Sequence, residues 1–71
     1  MKKNARKLRL LSRKIDLGMF RSITINSDSI TFWGNYSPAI VSALMKSKFY
    51  SGFTDSGTMY FYRSNILIFM S

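Results

Sequence analysis

Between residues 38 and 49 the apolar side chains recur every three to four positions, and on either side of that window they recur every two. Ile40, Val41, Leu44, Met45 and Phe49 form one stripe, with Ser42, Lys46 and Ser47 turned largely away from it. Ser37 suits the N-cap and Pro38 the first helical position, where its missing N–H does no harm. A helix-period pattern does not settle as a strand, nor an alternating pattern as a helix, so this order of periods limits the fold more than any other feature.

Upstream, Ile23 and Ile25 alternate with Thr24, and Ile30 and Phe32 alternate with Thr31 and Trp33. Ser27-Asp28-Ser29 between them is turn chemistry, so the pair reads as a hairpin. Leu17 and Met19 extend the alternation towards the N-terminus. Downstream, Tyr50-Ser51-Gly52 ends the helix and Thr54-Asp55-Ser56-Gly57 is a loop. Thr58 to Arg63 is aromatic and β-prone, Ser64-Asn65 reads as a tight turn, and Ile66 to Met70 is a further strand.

The order β-β-α-β-β predicts an α+β fold: a small four-stranded, mostly antiparallel sheet with one packed helix across a face. Its expected core is Ile23, Ile25, Ile30, Phe32, Ile40, Val41, Leu44, Met45, Phe61, Ile66 and Ile68. Ile66 to Met70 is apolar at every position, which suits a central strand or one covered by a partner.

A basic arm precedes this body. Residues 4–17 have helical period, with Leu8, Leu11, Ile15 and Met19 on one face. Lys2, Lys3, Arg6, Lys7, Arg9, Arg13 and Lys14 fall mostly opposite, while Leu10 and Leu17 interrupt the basic side and Gly18 marks a stop. An isolated helix of this length is marginal in water, so it is expected to order against the body or a ligand. The chain thus divides into an arm, residues 1–21, and a compact domain, residues 22–71.

Charge follows the same division. With Arg21, eight of the 11 Lys and Arg residues lie in the arm, opposed there only by Asp16. The body balances Lys46, Lys48 and Arg63 against Asp28 and Asp55. A basic segment of this kind seeks nucleic acid, an acidic protein or an anionic membrane surface.

Catalysis is not expected. Cys, His and Glu are absent, and the three carboxylates are Asp16, Asp28 and Asp55. General acid–base work usually relies on His or paired carboxylates, and Asp28 and Asp55 sit where Asp accepts local backbone N–H bonds. No nucleophile elbow, P-loop or dinucleotide fingerprint occurs. No disulfide or thiolate metal site can form, and no cofactor is expected. A 71-residue chain has a marginal core, which leaves association with another copy as the expected reinforcement.

The apolar runs are too short for a signal peptide or a bilayer span, so a cytoplasmic protein is expected, in the host cytoplasm if phage-encoded. Richness in Lys, Asn, Ile, Phe, Tyr and Met favours an AT-rich gene, common in phage and mobile elements.

If Met59 and Phe61 face the core, Tyr60 and Tyr62 point the other way, with Trp33 opposite Phe32. That face, flanked by Arg63, resembles a base-stacking platform, although packing against the arm or a second subunit would use the same residues. The expectation is a small non-enzymatic nucleic-acid-binding regulator. Its arm contacts phosphates through Lys2, Lys3, Arg6, Lys7, Arg9, Arg13, Lys14 and Arg21, beside Trp33, Tyr60, Tyr62 and Arg63. The alternative is a small inhibitor or adaptor that docks on an acidic surface of a host enzyme or defence complex.

Overall fold

A computed structural model describes the backbone of residues 2–71 and the side chains of residues 5–71. Its elements are α1 (Lys2–Ser12), a single 3₁₀ turn (Leu17–Met19), β1 (Phe20–Ile25), β2 (Ile30–Gly34), α2 (Pro38–Lys46), β3 (Tyr50–Phe53), β4 (Met59–Arg63) and β5 (Ile66–Met70). The fold is α+β, with a five-stranded sheet of order β1-β2-β5-β4-β3.

The sheet corrects the expected count and pairing. Tyr50–Phe53 is a strand and not merely the end of a helix, and β2 runs parallel to β5 while all other pairs are antiparallel. A β1–β2 hairpin and a β3–β4–β5 meander therefore join along β2 and β5, and β5 is central, which suits its continuous apolar run.

The fifth strand depends on how α2 stops. Ser37 caps its start, the hydroxyl accepting from the Ile40 N–H, and Pro38 opens the first turn. At the other end the Phe49 N–H donates to the Leu44 carbonyl and the Lys48 N–H to the Met45 carbonyl, both at 3.1 Å. This is the Schellman arrangement, with Lys48 at φ 65° in the position that glycine usually holds. Its apolar closure is Leu44 and Phe49, both buried, and the reversal sends the chain directly into β3.

One face of the sheet holds the core. Ile30, Phe32, Phe61, Ile66, Ile68 and Met70 point there and pack under Ile40, Leu44 and Phe49. Two helices cover this face, not one. Leu11 and Ile15 are buried in the same cluster, with Leu8 and Leu17 packed against it, so residues 1–21 supply part of the core. Met19, expected on the apolar stripe of the arm, is exposed in the 3₁₀ turn that Asp16 caps.

Four residues expected in the core are not among its buried side chains. Ile23 and Ile25 are 38% and 49% exposed because β1 is an edge strand, Met45 is 56% exposed, and Val41 is partly buried against the core's margin. Leu11, Ile15, Phe49 and Met70 take their place.

Candidate nucleic-acid interface

The exposed face of α1 presents Arg6 and Arg9, and Arg13 and Lys14 follow just after its last turn, all four open to solvent. Lys7 turns inward. Its ammonium donates to the Ser64 hydroxyl at 3.0 Å and to the Asn65 side-chain oxygen, tying the helix to the β4–β5 turn. The side chains of Lys2 and Lys3 lie outside the described residues.

Lys14 bridges the two helices. It lines a groove of about 450 Å³ with Lys46, floored by Ala39, Ser42 and Ala43 of α2. It also rims a second groove of about 360 Å³ with Lys7 and Arg63, floored by Leu10, Leu11, Phe49 and Ile66. Lys46 thereby extends the basic surface of the arm. The sequence places it with the body, although a helix C-terminus favours cations.

Asp16 accepts the Gly18 N–H at 2.9 Å, and Asp28 and Asp55 sit in the β1–β2 and β3–β4 turns. Among the described residues, no group of three His, Cys, Asp or Glu side chains could hold a metal ion.

Among the described residues, no helix packs on the opposite face of the sheet. Register places Ser22, Trp33, Phe69, Tyr60 and Gly52 in one cross-strand row over all five strands. A second row is Thr24, Thr31, Leu67, Tyr62 and Tyr50. Neither row contains a charge. Trp33 and Phe69 stack at 4.2 Å with their planes 17° apart, so one face of the indole is occupied.

The structure thus brings Trp33, Tyr60 and Tyr62 together and adds Phe69 and Tyr50, but it separates them from the cations. Arg63 is in register with Ile66 on the helical side, and its guanidinium donates to the Ser47 carbonyl. It does not flank the aromatic face as expected. Arg21 occupies the bulge in β1 and donates to the Asn35 side-chain oxygen at 3.0 Å. Even numbering along β4 was the signal for the aromatic face; Phe69 and Tyr50 escaped it because their register is long-range.

Comparison with protein-family models, with curated proteins and with solved structures finds no match for this chain.

Proposed function

We propose that this chain is a small non-enzymatic nucleic-acid-binding protein whose helical layer contacts phosphates. The observation that carries the reading is the basic surface formed by Arg6, Arg9, Arg13 and Lys14 beside Lys46 on the neighbouring helix. Phosphate contacts need cations within reach and no fixed spacing, and their affinity comes largely from released counterions. They position a protein on nucleic acid without reading its sequence. Lys7 and Arg63, held by hydrogen bonds to neighbouring elements, act in this reading as fixed rims of the layer.

A second reading is an inhibitor or adaptor on an acidic host protein. The groove between Lys7, Lys14 and Arg63 favours it, because its floor of Leu10, Leu11, Phe49 and Ile66 offers apolar contact that a phosphate backbone does not use. Among the described residues no helix is long and apolar enough to cross a membrane.

A pull-down from host lysate, with and without nuclease, separates the two. Nucleic acid that co-purifies and disappears on digestion supports the first reading. A stoichiometric protein complex that survives digestion replaces it with the second.

A further inference from the structure

We infer that the open face of the sheet is a self-association surface, and that two copies of this chain pack face to face through it. The face is chemically unlike the rest of the molecule. Its centre is Leu67 and Phe69 on β5, flanked by Trp33, Tyr60 and Tyr62, with hydroxyl-bearing residues towards the β1 edge. Interface cores are enriched in aromatic residues and depleted in Lys, Glu and Asp, which describes this face. An antiparallel sheet with one face in water normally alternates apolar and polar residues, yet β5 is apolar on both faces.

Charge selects the occupant. Nucleic acid needs cations beside the stacking rings, and neither row supplies one. A charged protein surface would lose its hydration against this face without recovering ion pairs. A second copy offers the same uncharged rings and hydroxyls. It also resolves the repulsion between two chains of net charge +8. Two sheets pack about 10 Å apart, and a helix of about 10 Å diameter lies outside each. The two basic layers are then roughly 30 Å apart, several times the Debye length of about 8 Å at physiological ionic strength.

Area sets the strength. Five strands about 4.8 Å apart, with about five residues in each rising about 3.3 Å apiece, span a flat face of roughly 400 Å² per copy. Protruding rings enlarge this, but it remains below the standard of about 800 Å² per partner, so the dimer is concentration-dependent. Aligned sheet packing, with strands within about 30° of each other, places the β5 strands at the centre of the interface. Such a dimer presents its two basic layers on opposite outer surfaces. That consequence rests on the proposed phosphate contacts, whereas the dimer itself does not.

The test is sedimentation equilibrium of the full chain with no nucleic acid present, together with the emission of Trp33, the sole tryptophan. The expected result is a mass of twice 8.2 kDa at high micromolar concentration and a red shift of Trp33 on dilution. Leu67→Lys and Tyr62→Lys should each give a monomer with an unchanged circular-dichroism spectrum, since both side chains point away from the core. Ile23→Lys, on the exposed edge strand, should leave the dimer intact. A wild-type monomer at high micromolar concentration overturns the inference, as does a dimer that survives both open-face variants. Loss of the dimer in Ile23→Lys alone would assign association to the β1 edge. Quenching of Trp33 by a single-stranded oligonucleotide in competition with the dimer would give the face to bases instead.

Discussion

Gly52 on the edge strand β3 stands directly across from Tyr60 on β4, and a Cβ on Gly52 would lie 2.7 Å from the tyrosine hydroxyl oxygen and 2.8 Å from its ring. The phenol therefore lies over the glycine and extends the aromatic row to the sheet edge. Gly52→Ala would recover about 0.5–1 kcal/mol of backbone entropy, but it must swing the ring aside, and overpacking costs about 1–3 kcal/mol. A net destabilisation of about 1 kcal/mol in urea denaturation is expected. The paired variant with Tyr60→Ser should be free of that penalty.

Lys48 has the opposite sign. A left-handed conformation costs an L-residue roughly 1–2 kcal/mol, and Lys48 holds φ 65° in the Schellman turn. Lys48→Gly relieves that strain at the expense of unfolded-chain entropy, so stability should rise by about 0.5–1 kcal/mol. Denaturant midpoints compare the two chains, and a lower midpoint for the glycine variant would show that the lysine makes a compensating interaction.

Leu44 is fully buried on α2 and provides the apolar closure of the same turn. Leu44→Ala should cost about 2–5 kcal/mol, a large share of what a chain of this size has available. The expected observation is partial unfolding at room temperature. Ser37→Ala, which removes the cap from the other end of α2, should cost only about 1 kcal/mol.

The elements legible in the sequence were those with a local pattern. The α2 stripe and the two hairpins are of this kind, and the alternation of Tyr60 and Tyr62 against Phe61 fixed which way the aromatic face points. The parallel pairing of β2 with β5 has no local signature, because it is set when α2, β3 and β4 return the chain to the first hairpin. β3 was hidden for a different reason. Four residues containing a glycine look like a stop, and their antiparallel pairing with β4, where Tyr60 lies over Gly52, makes them a strand. Arg63 follows the alternation to the helical side, so its separation from the tyrosines was legible in principle.

Substitution in the basic layer separates binding from stability. Arg9→Ala and Arg13→Ala remove exposed cations that do not enter the core. Circular dichroism and the denaturant midpoint should be unchanged. The slope of log K against log salt should become shallower by about 0.9 for each phosphate of duplex DNA that the variant no longer neutralises. A change in stability equal to the change in binding would show that these side chains serve the fold.

Retardation of a labelled duplex across a salt series tests the phosphate-binding account most directly. With about four to six cations on phosphates, log K should fall against log salt with a slope between about −3.6 and −5.4. No retardation at low salt, or affinity that does not change with salt, would contradict the account.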